Sequence, residues 1–301
     1  MIKVLRMGHA SFQTPDLERM SAYYQDVLGL SLIERDAKTA YLACPSDVYS
    51  VVLHQADGEP RGTKLSLQIA ADADLNDVVR DLGDHGITAK RCSDSEPLIS
   101  EVVSFVDVAG LPVELYRAIP GCGRWGEGTG TIQPDKLGHT AFYVPGVHKV
   151  VDFYTTVLGF RVSDWNGDFF AFMRCGPDHH TVNMHEAPKL ETHHIAFELR
   201  DWARLRDTSD WLARHGMPPL WGPLRLGAGH NLAIFHRNPD GHIVEFFCEM
   251  DQMSTEDLGY FDPRPWHADN PQRPKVWNDD DAHANCRRWG ATRPADQRRS
   301  R

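Results

Sequence analysis

The chain contains an internal duplication, and this repeat restricts its fold more than any other feature of the sequence. The segment GHASFQTPDLERMSAYYQDVLGL, which starts at Gly8, matches GHTAFYVPGVHKVVDFYTTVLGF, which starts at Gly138, with the same spacing throughout. Further segments align within one residue of the same offset: TKLSLQIA with THHIAFEL, and DVAGLPVELY with NPDGHIVEFF. The two halves are therefore predicted to share one fold.

Each half contains two smaller units of its own. In each unit an alternating strand is followed by an amphipathic helix and then by β-rich sequence that is broken at Gly, Pro and Asp. This pattern predicts an α+β protein with four βαβββ modules in two tandem domains, each an open, curled β-barrel with helices outside. The modules are assigned to residues 5–55, 62–117, 135–187 and 190–250.

Composition between and after the repeats sets the predicted domain boundaries. Residues 120–134 are rich in glycine and are interpreted as a linker between an N-terminal domain at 1–119 and a C-terminal domain at 135–250. The tail at 251–301 is expected to pack in part and then to be disordered in its basic end. We expect residues 258–278 to pack across the mouth of the second barrel, although a packing strap elsewhere fits the sequence equally well.

Charge and apolar patterning limit the classes of partner. The net charge of −10 argues against a surface for nucleic acid or anionic lipid, because phosphate binding needs a basic face. The sequence has no apolar run of about 18 residues and no signal-peptide pattern, so no membrane association is expected. The six cysteines are scattered without a C-x-x-C pair, which favours reduced thiols in the cytoplasm.

One glutamate lies in a strand that is apolar on both faces. In HIVEFF, residues 242–247, strand alternation places Ile243 and Phe247 beside Glu245, with Val244 and Phe246 on the other face. Glu245 is therefore predicted to be buried. A buried carboxylate needs a cation, a hydrogen-bonding partner or a metal.

Two histidines in repeat-related strands offer such a partner. His139 in LGHTAFYV and His194 in HHIAFEL each share a face with an alanine two residues on, which leaves room beside the imidazole. Either histidine alone would be interpreted as an ordinary core or surface residue, and Glu245 alone as the partner of an arginine. Together they match the two histidines and one carboxylate of a facial metal triad with open positions.

The first half provides an internal comparison. At the equivalent positions it carries His9, Lys64 and Glu114, so a lysine replaces the second histidine. This lysine is expected to pair with Glu114 and to exclude a metal. We predict one metal per chain, in the second half, with the first half as a structural copy without metal.

The motifs of the second half resemble those of a known family. LGHTAFYV, DFYTTVLGF, CGPDHHTVNMH, THHIAFEL and NPDGHIVEFF, in this order, are similar to the C-terminal domain of type I extradiol catechol dioxygenases, in the vicinal oxygen chelate (glyoxalase/bleomycin resistance) superfamily. The resemblance runs from about residue 5 to 250 and into the tail. It is specific in the second half and generic in the first.

This resemblance implies an activity and a set of site residues. It implies Fe(II), with Mn(II) as an alternative, held by His139, His194 and Glu245, and His180 as the acid/base catalyst. The implied reaction uses a catechol and O2 and cleaves the ring beside the two hydroxyls. It also implies a homo-oligomer.

His180 has an independent rationale in the strand pattern. In HHTVNMH, strand alternation predicts that His180 shares a face with Val182 and Met184. A histidine among apolar neighbours is suited to proton transfer near neutral pH. A core histidine that is merely hydrogen-bonded remains the alternative.

The sequence departs from the family in the segment GPLRLGAGHNLAIF. Leu226 and Phe235 stand where the family commonly has a histidine and a tyrosine that hydrogen-bond the substrate oxygen, and such partners typically matter by about 10- to 100-fold. His230, Asn231 or His236 are candidates for the lost groups, although each also fits a turn or surface position. The candidate substrate-binding residues are therefore Arg225, Leu226, His230, Asn231, Phe235 and His236.

Two other functions fit the same sequence. One is a different metal-dependent reaction of this superfamily, namely an isomerase, an epimerase or a thiol transferase. The other is a non-catalytic protein that binds an aromatic ligand or confers resistance. The triad favours an enzyme, because a binding cavity gains little from three buried polar ligands.

Overall fold

The structure, a computed structural model, describes residues 2–119, 132–259, 261–262 and 273–278. Two open sheets dominate it, one in each half of the chain. The predicted linker at 120–134 lies mostly outside the described residues, as does the basic end of the tail. The structure therefore does not test these two predictions.

The sheet of the N-terminal half has eight strands in the order β2-β3-β4-β1-β5-β8-β7-β6. The central pair, β1 and β5, is antiparallel and joins the two modules. The strands are β1 (Val4–Thr14), β2 (Ser31–Arg35), β3 (Thr39–Ala43), β4 (Val51–Gln55), β5 (Arg61–Ile69), β6 (Ala89–Glu96), β7 (Ile99–Val106) and β8 (Pro112–Arg117).

The sheet of the C-terminal half repeats this arrangement and adds one strand from the tail, in the order β14-β15-β16-β13-β9-β12-β11-β10-β17. The strands are β9 (Lys136–Val144), β10 (Arg161–Asn166), β11 (Phe170–Arg174), β12 (Val182–Glu186), β13 (Glu191–Glu198), β14 (Trp221–Arg225), β15 (Leu232–Arg237), β16 (Ile243–Cys248) and β17 (Lys275–Trp277). Without β17 the two strand orders are equivalent, which confirms the predicted α+β fold of four modules in two tandem, open sheets.

Each module has one helix after its first strand. The helices are α1 (Leu17–Ala22), which continues as a π-helical turn at Tyr23–Val27, α2 (Leu75–Asp84), α3 (Val147–Thr156) and α4 (Trp202–Arg214), and a short 3₁₀ turn follows at Glu256–Leu258. Aspartate side chains cap the N-termini of α1, α2 and α4. Helix α3 starts after Gly146 instead, and the Glu186 carboxylate at the end of β12 accepts hydrogen bonds from the Gly146 and Val147 amides.

The helices pack on one face of each sheet, and the other face holds a smaller apolar cluster together with buried polar residues. In β16, Val244 and Phe246 join the main core together with Leu205 of α4. Glu245 and Phe247 point to the opposite face. The predicted alternation of this strand, and the burial of Glu245, are therefore present.

The two halves share that main core and are joined by hydrogen bonds. The Trp211 indole of α4 donates to the Val27 carbonyl at 3.1 Å, and the Tyr154 hydroxyl of α3 donates to Asp107 at 3.1 Å. Both donors lie on helices of the C-terminal half, and both acceptors lie in the N-terminal half.

Among the described residues, none of the helices has the length and apolar character needed to span a bilayer.

Candidate metal centre and active site

Three neighbouring strands bring His139, His194 and Glu245 together. In the register of the sheet, Ala196 of β13 lies between His139 of β9 and Glu245 of β16, and His194 is two residues from Ala196 on the same strand. Because alanine has only a methyl group, the three longer side chains can meet over it. Ala196, the small residue two positions after His194, thus leaves the predicted room beside the imidazoles.

The three ligand atoms form a nearly equilateral triangle. His139 Nε2 lies 3.2 Å from His194 Nε2, and each of these atoms lies 3.2 Å from Glu245 Oε2. Donors at about 2.1 Å from one ion, in adjacent octahedral positions, would be about 3.0 Å apart. The residues therefore fit a single metal ion, and all three are buried.

The protonation states also suit a metal. Burial lowers the pKa of His139 below its ordinary value, although Glu245 opposes this. Burial alone would raise the pKa of Glu245, but the two histidines outweigh it and bring that pKa to about 2. A neutral imidazole and an ionised carboxylate are the forms that bind metal.

Asn231 fixes the orientation of the carboxylate. Its Nδ2 donates to Glu245 Oε1 at 3.0 Å, so Oε2 is the oxygen that faces the two histidines. His193 contacts the nitrogen of His194 that faces away from the triad, since the two Nδ1 atoms lie 2.5 Å apart. Such outer contacts orient ligands and tune their basicity.

His180 lies beside the triad, as the resemblance implied. Its ring meets the His139 ring edge-on with 4.3 Å between centroids, and burial lowers its pKa well below the ordinary value. The predicted face was wrong, however. Val182 and Met184 point into the main core, whereas His180 precedes the first residue of β12, where strand alternation does not apply.

A cavity opens in front of the triad and His180. Aromatic and polar side chains form most of its wall, and no described lining residue is a lysine or an arginine. The lining residues are His139, Asn166, Phe170, Phe172, His180, Asn183, His193, His194, Trp221, Leu226, Gly227, Ala228, Phe235 and Glu245. A larger groove of about 630 Å³ lies elsewhere, where the two halves meet, and contains none of the triad.

The predicted substrate-binding residues fall into two groups. Leu226 and Phe235 line the cavity, and Phe235 is the register partner of Glu245. Asn231 acts on Glu245 and not on the cavity wall. Arg225 donates to the His230 carbonyl at 2.7 Å and to Glu249 at 2.8 Å, so it braces the loop that carries Asn231.

His230 and His236 are also turned away from the cavity. His230 hydrogen-bonds Asp251 through Nδ1. His236 points to the opposite face of β15 from Phe235, where its Nε2 lies 2.6 Å from the Tyr23 hydroxyl. The prediction that His236 replaces a substrate-binding group was therefore wrong, because adjacent strand residues face opposite sides of the sheet.

Several lining residues were missed by the sequence analysis. Strand alternation predicts that His193 faces away from His194, but the β13–β9 ladder shifts register between Thr192 and His194, and this bulge brings His193 to the cavity. The strand period gives no warning of a bulge. Asn166, Phe170, Phe172, Asn183 and Trp221 were missed because they come from other strands without a motif of their own.

The equivalent site in the N-terminal half holds a lysine. Lys64 Nζ lies 2.6 Å from Glu114 Oε2, which is the predicted pair, and 2.9 Å from Glu96 Oε1. Glu96 also contacts His9 at 3.0 Å. His9, Glu96 and Glu114 alone would be close enough to hold a metal, but the ammonium of Lys64 lies among the carboxylates instead.

Comparison with known proteins agrees with this fold. A metapyrocatechase of Pseudomonas sp. (strain CF600) is 28% identical over 284 residues, which cover 87% of this chain and 90% of the relative. The structure of the 2,3-dioxygenase LapB from Pseudomonas sp. KL28 superposes with a TM-score of 0.78 at 25% identity, over 93% of this chain and 99% of that one. The Mn(II)-bound glyoxalase from Novosphingobium aromaticivorans gives a TM-score of 0.84 at 23% identity, over 98% and 94% of the two chains, a likeness of fold.

A family model matches both halves of the chain, at residues 6–98 and 136–246. This confirms the resemblance that the repeated motifs indicated. The chain belongs to the Glyoxalase/Bleomycin resistance protein/Dioxygenase superfamily.

Proposed function

We propose that the protein is a metal-dependent extradiol dioxygenase, which cleaves a catecholic ring beside its two hydroxyls and adds both atoms of O2. The buried triad of His139, His194 and Glu245, with His180 in contact, carries this proposal. The similarity to a metapyrocatechase and to a 2,3-dioxygenase supports it.

The triad is proposed to hold Fe(II), with Mn(II) as the alternative, as in the Mn(II)-bound glyoxalase of the same fold. When bound, the metal supplies a Lewis acid with open positions and the electron transfer that reactions of O2 need. Asn231 keeps Glu245 turned so that one carboxylate oxygen faces the metal site.

The cavity wall suggests the class of substrate. Phe170, Phe172, Trp221 and Phe235 offer apolar faces to a ring, and the Trp221 and Phe235 rings are stacked with 5.2 Å between centroids. Because no described lining residue is a lysine or arginine, the described wall offers no ammonium or guanidinium group to a carboxylate substituent. We propose a catechol with uncharged substituents, single-ring or multi-ring.

His180 is proposed to accept a proton from the catechol and to return it during ring opening. It is buried beside His139, and the surrounding aromatic residues exclude water, which makes a positioned side chain the natural proton carrier. Leu226 and Phe235 replace the hydrogen-bonding groups usual in the family, so His180 carries more of the proton handling here.

The test is anaerobic reconstitution with Fe(II), then addition of O2 and a panel of catechols, with the yellow ring-fission product as the readout. Glu245→Gln should abolish both the colour and the bound metal. Glu114→Gln changes the equivalent residue of the other half and should keep both. No colour from wild-type protein that holds one metal per chain would reject the dioxygenase and favour another metal-dependent reaction of the superfamily.

A homo-oligomer and a cytoplasmic location remain predictions. Size-exclusion chromatography with light scattering measures the number of subunits.

A further inference from the structure

Behind His180 lies a buried chain of polar groups that the reaction as proposed above does not use. His179 Nδ1 lies 3.0 Å from His180 Nδ1, and His179 Nε2 lies 3.2 Å from Asp164 Oδ2. All three residues are at most 3% exposed. The chain therefore links the cavity residue His180 to a carboxylate of β10 that water does not reach.

The direction of each hydrogen bond follows from the groups around Asp164. The Lys275 amide donates to Asp164 Oδ1 at 2.8 Å, and the Trp277 indole donates to Oδ2 at 2.6 Å. Both groups can only donate, so both carboxylate oxygens act as acceptors. His179 Nε2 must then carry a hydrogen and donate it to Oδ2.

This assignment fixes the next two nitrogens. A neutral histidine has one N–H, so His179 Nδ1 is an acceptor when its Nε2 is the donor. His180 Nδ1 must therefore carry the hydrogen that the two Nδ1 atoms share. The remaining nitrogen of His180, Nε2, keeps its lone pair.

We propose that Asp164 and His179 are positioning residues, which hold His180 in the tautomer whose Nε2 is a free base on the cavity side. The inference rests on the proposed function for the task given to His180, namely accepting the substrate proton. The hydrogen-bond directions themselves do not depend on that function.

Two further contacts keep the chain in place. Phe261 packs on the His179 ring with 4.7 Å between centroids. Gly229 has a φ of +76°, and a Cβ on it would lie 3.1 Å from His179 Nδ1 and 3.2 Å from His180. The glycine thus leaves room for the two imidazoles, and the tail residues of β17 hold Asp164 from the other side.

The test reads the tautomer directly. Full-length protein labelled with ¹⁵N-histidine and loaded with diamagnetic Zn(II) is studied by two-bond ¹H–¹⁵N correlation NMR, with His180 assigned through His180→Gln. The wild type should show a protonated Nδ1 and an unprotonated Nε2 at His180. In the double variant Asp164→Asn/Trp277→Phe, no indole N–H faces the Oδ2 position, so the amide can donate to His179 Nε2 while its oxygen still accepts from the Lys275 amide. This reverses both bonds and should move the His180 hydrogen to Nε2.

A matched variant and the kinetics complete the experiment. Trp277→Phe removes a donor to the same oxygen but leaves the carboxylate, so the wild-type tautomer should persist. With Fe(II), the double variant should have a kcat about 10- to 100-fold lower than that of Trp277→Phe, with KM changed much less.

The outcomes separate this inference from the proposed function. A wild-type His180 that carries its hydrogen on Nε2 overturns the inference even if the double variant fails to fold, and so does an unchanged tautomer in the double variant. The expected tautomers without ring cleavage by any catechol would instead reject the dioxygenase and leave the hydrogen-bond assignment supported.

Discussion

Asn231 determines which oxygen of Glu245 faces the two histidines. Replacing it with alanine removes the 3.0 Å hydrogen bond and leaves Glu245 Oε1 without that donor. We expect Asn231→Ala to weaken metal binding by about 10- to 100-fold, because outer-shell partners of metal ligands have effects of this size. Competition with a fluorescent chelator measures the affinity.

Asn183 provides the control for this variant. It lines the same cavity and is equally buried, but it belongs to β12 and is not the donor to Glu245. Asn183→Ala should change the metal affinity less than about threefold. Equal losses in the two variants would show that cavity polarity, and not the bond to Glu245, governs the affinity.

His236 gives the fold a dependence on pH. Burial lowers the pKa of His236 from its ordinary 6.5 to about 4, so it is neutral in the folded protein and takes up a proton on unfolding below pH 6.5. Its contribution to stability is present above pH 6.5 and is lost as the pH falls towards 4. The loss approaches about 3 kcal/mol at pH 4.

Urea unfolding at several pH values tests this prediction. His236→Gln keeps an acceptor for the Tyr23 hydroxyl but cannot titrate, so the free energy of unfolding should fall less steeply between pH 6.5 and pH 4 than in the wild type. His215→Gln changes an exposed histidine of the C-terminal half and serves as the control. Identical slopes in wild type and His236→Gln would contradict the assignment.

At the scale of elements, the tail strand β17 is a part of the sheet that the repeat does not supply. It pairs in parallel with β10 and provides both donors to Asp164. Deleting residues 273–301 should lower kcat/KM by about 10-fold, the lower end expected for loss of second-shell support. Deleting only residues 279–301 keeps β17 and should leave the kinetics unchanged.

Two described aromatic residues of the tail bear on the expectation that residues 258–278 pack across the mouth of the second barrel. Phe261 packs on His179, and Trp277 contacts Asp164, so these two aromatic residues lie behind His180. Tyr260 and Trp266, which the same prediction included, are outside the described residues. If deleting residues 279–301 lowers kcat/KM as much as deleting residues 273–301, residues beyond β17 contribute to activity.

Strand periodicity accounts for what the sequence predicted well and for where it failed. Where a strand is regular, as at Glu245 in β16, alternation and repeat alignment predict the face correctly. The same rule excludes His236, because Phe235 already occupies the cavity face of β15. Periodicity fails at the bulge before His194, since an extra residue reverses the face, and before β12, where His180 lies outside the strand.

Contacts between distant segments were beyond sequence reasoning for a different reason. Asp164 carries no motif, and its place beside His179 depends on the pairing of β10 with β11 and on the return of the tail as β17. Such neighbours are set by the sheet as a whole. A single sequence does not reveal the strand pairing, so the distance between Asp164 and His179 could not be predicted from it.

At the scale of the whole molecule, the duplication has produced two equivalent sites, one with a lysine among its carboxylates and the other with a triad that is proposed to bind a metal. Lys64 lies among His9, Glu96 and Glu114 in the first half, where its ammonium is within 3 Å of both glutamates. Lys64→Met leaves two largely buried carboxylates without a cation and should destabilise the protein by about 3 kcal/mol. Urea unfolding measures the loss.

The control is Lys189→Met, which removes an exposed lysine that pairs with Glu191 and should leave the free energy of unfolding almost unchanged. A second substitution extends the comparison. Lys64→His restores the histidine of the other half, and we expect bound metal to rise from one ion to two per chain by elemental analysis. A stoichiometry of one in that variant would mean that Glu96 prevents the ligand geometry.

Because Lys64 is part of the polypeptide, the buried carboxylates of the first half have a counter-ion as soon as the chain folds. The first half therefore needs no metal ion to balance its buried carboxylates, and we expect the core that it shares with the second half to keep both halves folded when metal is removed. Loss of the metal would then abolish activity without unfolding the protein. Activity would return as soon as the ion is supplied, with no new protein to be made.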